Sequence, residues 1–166
     1  VGGWNTLVQN EISEYFEQDY NQLVGFVMRL GAQQSTAEDV AQAAFAQACV
    51  QWSRITHPHA WLRRVVFRIY YQEVRRASRL REQWSPASTP AVDPADHAAG
   101  CDQVLAALAT LPVRQREVMA WHVDGYEPEQ IARELGLTAE NVRKALQRAR
   151  ERLKKLLAEQ LERGTP

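Results

Sequence analysis

Between Trp84 and Asp102 the chain reads SPASTPAVDPADHAAGC, a run through which no packed element can continue. Pro86, Pro90 and Pro94 remove backbone donors and fix φ, and the Ser, Thr, Ala and Asp around them carry too little apolar surface to bury. This composition predicts a flexible linker over residues 84–101, with one domain at 5–83 and another at 102–163. Each must build its own small core.

Both flanks read as helix, and alternating β-branched patterns are nearly absent, so the predicted fold class is all-α. Leu7, Ile12, Tyr15, Phe16, Leu23, Phe26, Val27 and Leu30 recur at roughly helical spacing before Gly31, as one helix or a broken pair. Ser35 to Glu38 offers a capping box for a second helix ending near Trp52. Pro58 suits the first turn of a third, which reaches about Gln83 and buries Leu62, Val65, Val66 and Ile69. Beyond the linker, a helix from about Asp102 to Ala109 precedes another that opens at Pro112 and closes near Asp124-Gly125. Pro128 starts the next and Gly136 ends it. Thr138 then caps a long final helix whose buried line is Val142, Leu146, Ala149, Leu153 and Leu156.

The formal net charge is zero, but the charges are segregated. Up to His59 the only basic residues are Arg29 and Arg54, against Glu11, Glu14, Glu17, Asp19, Glu38 and Asp39. Arg63, Arg64, Arg68, Arg75, Arg76, Arg79 and Arg81 follow, opposed only by Glu73, and a second basic cluster runs from Arg143 to Lys155. Two basic clusters in an otherwise acidic chain suit two contacts with a polyanion and leave other surfaces for a protein partner. Their plainer reading is a pair of solvated helix faces.

Gly125 to Arg150 has the layout of a helix-turn-helix, in which Ile131, Ala132 and Leu135 pack against Val142 and Leu146. The outer face of the second helix then fits a DNA major groove, with Asn141, Arg143, Lys144, Gln147 and Arg148 as candidate contacts. An ordinary helical hairpin with a basic surface is the alternative. The first cluster has aromatics interleaved. Arg64, Arg68, Arg75 and Arg79 form one stripe beside Trp61, Phe67, Tyr70 and Tyr71, an arrangement suited to single-stranded or melting DNA. Trp61 reads as core, whereas Phe67 and Tyr71 stand equally between core and interface.

The blocks TAEDVAQAAFAQA (Thr36 to Ala48), HAWLRRVVFRIYYQEVRR (His59 to Arg76) and the stretch from Leu111 to Leu157 together resemble the extracytoplasmic-function sigma factors. The resemblance implies a factor that binds core RNA polymerase and directs promoter-specific initiation. It places Asp39, Gln42 and Phe45 against the polymerase clamp coiled coil, and Asp39 also suits a helix's first turn as an anion. It assigns Arg64, Phe67, Arg68, Tyr71, Arg75 and His57 to recognition and melting of the minus-10 element, and the final helix to the minus-35 element. The helices around Leu108, Val118 and Met119 would meet the polymerase flap, and the linker, with Asp93, Asp96 and Asp102, would thread toward the active-site channel. An anti-sigma protein is a further partner such factors accommodate. The chain departs from the family pattern at Arg68, where Asn is usual; at Ala43 and Ala44, in place of Glu and Thr; at Cys49, in place of Trp; and at Ala145, where Arg is frequent and Lys144 can compensate.

No catalytic chemistry is expected: there is no metal-ligand spacing, no glycine-rich phosphate loop and no nucleophile motif. No cofactor or metal is implied, and His57 and His59 read as loop residues beside Pro58. Cys49 and Cys101 have neither C-x-x-C spacing nor a nearby His cluster, which fits a reducing compartment. No stretch approaches the ~20 apolar residues of a membrane span, and the N-terminus lacks a signal-peptide pattern, so a cytoplasmic chain without membrane insertion is predicted. The main rival reading is a helix-turn-helix regulator that binds a palindromic duplex as a dimer without polymerase. It leaves the Asp39/Gln42 helix and the arginine-aromatic helix without a role. A purely structural interaction protein would not need two separate basic clusters.

Overall fold

A computed structural model describes residues 6–84 and 103–163. Among them all regular structure is helical: α1 (Thr6–Arg29), α2 (Gln34–Gln51), a 3-10 turn (Trp52–Arg54), α3 (Pro58–Trp84), α4 (Gln103–Ala109), α5 (Val113–Val123), α6 (Pro128–Leu135) and α7 (Ala139–Arg163). They fall into two compact units, α1 to α3 and α4 to α7. The expected linker, with Cys101, Asp93, Asp96 and Asp102, lies outside the described residues.

In the N-terminal unit the first apolar run forms one continuous helix, α1, rather than a broken pair. Gly31 follows it at φ 108, a conformation that L side chains rarely adopt. The Ser35–Glu38 capping box does not form. Helix α2 starts earlier, with extended Gln33 at its N-cap, and Glu38 instead accepts a 2.9 Å hydrogen bond from Gln34 inside the helix. Ala37, Ala41, Ala44 and Ala48 are fully buried along one face of α2. Their small side chains let neighbouring helices approach closely, and Leu62, Val65, Val66 and Tyr70 of α3 and Leu23, Phe26 and Val27 of α1 complete the core.

One buried feature of this unit runs against the charge reading. Arg63 is 2 % exposed and Asp19 of α1 is 0 % exposed, and they form a bidentate pair at 2.7 and 2.9 Å. His59 Nδ1 lies 3.1 Å from the same carboxylate, Arg63 also donates to the His59 carbonyl at 3.2 Å, and the Tyr15 ring packs on His59 at 4.7 Å. Arg63 therefore leaves the cationic surface and pins α3 to α1.

The C-terminal unit follows its punctuation closely. Pro112 is the N-cap of α5, Pro128 stands in the first turn of α6, and Gly136 closes α6 in the left-handed region at φ 65. Glu127 and Gln130 add a reciprocal capping box at the start of α6. Thr138 Oγ1 accepts the Asn141 N–H at 3.2 Å and so caps α7. Ile131 and Ala132 are buried with Val142, Leu146 and Ala149, and Val118 and Trp121 of α5 fill the rest of this core. Leu135 is half-buried at its margin. Arg116 is buried and donates to the carbonyls of Ala109 and Leu111, which closes the end of α4.

Candidate nucleic-acid interface

On α3, Arg64, Arg68 and Arg75 are exposed, as the stripe requires. Phe67 and Tyr71, one helical turn apart, are half-buried with ring centroids 4.5 Å apart, and Tyr70 beneath them is 6 % exposed. The aromatic pair thus forms a shoulder between the core and the arginines, presenting ring surface without being held in the interior. Trp61, expected in the core, is half-buried. Arg68 donates to Gln47 of α2 at 3.0 Å, so the residue that departs from the family pattern is held by a neighbouring helix. His57 is exposed in the short loop ahead of Pro58.

Asp39 and Gln42 are exposed and share a face of α2, whereas Phe45 is 3 % exposed and packs edge-on against Phe16 at 4.9 Å. Phe45 therefore supports this face from below. Phe16 and Tyr20 of α1, neither of which the sequence assigned to this face, stack at 4.6 Å beside it, and Phe16 remains 38 % exposed. Gln42 approaches the Tyr20 hydroxyl at 3.5 Å. Only the 22-residue separation of Tyr20 and Gln42 hid this neighbourhood, because helical spacing reports faces and not which faces meet.

The helix-turn-helix arrangement is formed by α6 and α7, and all five candidate contacts, Asn141, Arg143, Lys144, Gln147 and Arg148, are exposed on the outer side of α7. Several are engaged locally. Arg143 pairs with Glu129 of α6, Lys144 with Glu140 at 2.6 Å, and Gln147 donates to Glu151 at 2.9 Å. Arg150 lies 2.9 Å from His122 Nε2. Arg148 faces the opposite edge, where it lines an open cleft with Gln115, Glu151, Arg152 and Lys155. Pairs this exposed are worth little to stability in water.

Below this surface, burial lifts the Glu117 carboxyl above its ordinary range, and Arg114, bonded to it at 2.7 Å, opposes that shift. Glu117 belongs to the core of the unit and not to the interface. Among the described residues no helix is long and apolar enough to cross a membrane.

The sigma-70 region 2 family matches residues 15–80, which hold the Asp39 face and the arginine-aromatic helix. The sigma-70 region 4 family matches residues 101–153, which hold the helix-turn-helix. The chain is similar to the ECF RNA polymerase sigma factor SigE of Mycolicibacterium smegmatis, 29% identical over 167 residues that cover 93% of this chain and 62% of that protein. In fold it is similar to the sigma factor RpoE from Bartonella quintana, solved in complex with the anti-sigma factor NepR, at a TM-score of 0.74 and 23% identity over 89% of this chain and 97% of that one. With the region 2 and region 4 families matched in order across most of its length, and the candidate surfaces of α3 and α7 placed within them, the chain belongs to the sigma-70 family.

Proposed function

We propose that this chain is a non-catalytic initiation factor that joins core RNA polymerase in the cytoplasm and directs it to promoters. The observation that carries the reading is the pair of exposed cationic helices, α3 and α7, each in its own unit and each inside a family-matched region. In this reading α7 enters the major groove of the minus-35 element through Asn141, Arg143, Lys144, Gln147 and Arg148. Helix α3 engages the minus-10 element: Arg64, Arg68 and Arg75 meet phosphates, and the Phe67/Tyr71 shoulder takes a base displaced from the stack. His57 stands at the loop beside it.

Asp39 and Gln42, with Phe45 beneath them, supply an acidic and hydrogen-bonding face for a basic partner, which suits the clamp coiled coil. The helices of the C-terminal unit meet the flap, and residues 84–101 tether the two domains, 5–83 and 102–163. The solved relative's complex makes an anti-sigma protein a partner to seek for this chain as well.

The test is run-off transcription by core polymerase over genomic fragments with and without the chain. Specific transcripts should require both components. Asp39→Arg should abolish co-purification with polymerase, while Arg143→Ala with Lys144→Ala should spare co-purification and weaken upstream-element selection. A chain that never associates with polymerase yet binds duplex tightly by itself overturns the proposal in favour of an autonomous regulator.

A further inference from the structure

The carboxylate of Glu129 sits where a DNA-binding surface has a reason to avoid one. A duplex carries about one negative charge per 1.7 Å of its axis, so an anion on the groove-facing edge opposes binding of every sequence alike. Yet Glu129 is 58 % exposed and reaches across from α6 to pair with Arg143, itself 57 % exposed in the second turn of α7. The backbone that carries it is well anchored. The Glu127/Gln130 capping box fixes the first turn of α6, and buried Ile131 and Ala132 anchor that helix against Val142 and Leu146.

The chemistry of a guanidinium decides what this pair permits. Arginine carries five N–H donors in a planar fork, and Glu129 engages Arg143 through one nitrogen, Nη2. The remaining donors can bind the O6 and N7 acceptors of a guanine while the ion pair stays intact. A phosphate taken by the same donors would bring a second negative charge up to the Glu129 carboxylate, whereas the guanine edge carries no net charge. The pair therefore tolerates the base-reading pose and penalises the phosphate-gripping one. Cations for phosphates are available on the other edge of α7, where Arg148, Arg152 and Lys155 line one cleft.

We infer that Glu129 is a specificity-determining positioning residue, which holds Arg143 for reading a guanine in the upstream element and suppresses its use as a nonspecific phosphate contact. The inference rests on the assignment of α7 to upstream-element recognition and adds a role that the charge of α7 alone does not suggest.

The experiment is a double-mutant cycle in the full chain bound to core polymerase, with selection from promoters randomised across the upstream element and parallel titration of a nonspecific duplex at several salt concentrations. Glu129→Gln should strengthen nonspecific binding about two- to fivefold, the range an exposed ion pair supports, and steepen its salt dependence by about one phosphate contact. It should also flatten selection at one guanine position by about threefold or more. Glu129→Asp should restore part of that selection. In an Arg143→Ala background, Glu129→Gln should no longer affect that position. An unchanged base profile in Glu129→Gln, or the same loss in the Arg143→Ala background, overturns the inference while leaving upstream recognition by α7 intact. A wild-type complex with no upstream selection at all overturns both.

Discussion

At the scale of single residues, the charged groups divide by burial more than by position in the chain. Asp19 and Arg63 are 44 residues apart, and their pair is almost fully enclosed. Removing one partner of such a pair leaves an uncompensated charge inside the core, at a cost of about 3–5 kcal/mol. Asp19→Asn is therefore expected to lower the unfolding midpoint of the N-terminal unit in a denaturant titration followed by its tyrosine and tryptophan signals. An equal loss from Arg64→Ala would contradict the distinction between buried and surface arginines. Glu117 gives a second test. Because burial raises its pKa, the folded state holds the proton more tightly than the unfolded state. Its contribution to stability is complete at pH below the ordinary carboxyl range and fades as pH rises through the lifted value. The thermal midpoint of the C-terminal unit should fall across that window, and Glu117→Gln, which resembles the protonated form, should flatten the fall.

At the scale of elements, legibility followed the range of the forces involved. The boundaries of α6 and α7 could be read directly because Pro128, Gly136 and Thr138 act on the backbone within a turn of themselves. Gly136 occupies the left-handed region with open space where a Cβ would stand, so Gly136→Ala tests backbone strain alone. It should cost about 1–2 kcal/mol, measured as a shift in the melting of the C-terminal unit, with little change in folded structure. The start of α2 was less legible, because Ser35 and Glu38 had the right spacing while the chain had already entered the helix at Gln34. The burial of Arg63 and Phe45 could not be read at all from local pattern: each depends on α1, through Asp19 or Phe16, packing onto a helix distant in sequence. The surface of α7 was legible in its residues but not in its pairings, since the partner of Arg143 is Glu129 on a different helix, α6.

At the scale of the molecule, two small units each carry a cationic helix of their own. Two weak contacts carried by one chain reinforce each other only when they are held at the separation of their targets. Core polymerase supplies that separation in the present account, which makes assembly, and not either unit's affinity, the source of promoter recognition. The most direct measurement is fluorescence anisotropy of a labelled cognate promoter, found from the run-off fragments, titrated with the chain alone, core polymerase alone and the two together. The account expects weak, salt-sensitive binding by each alone and tight, sequence-selective binding only by the mixture. Tight and selective binding by the chain alone, unchanged when polymerase is added, would contradict it.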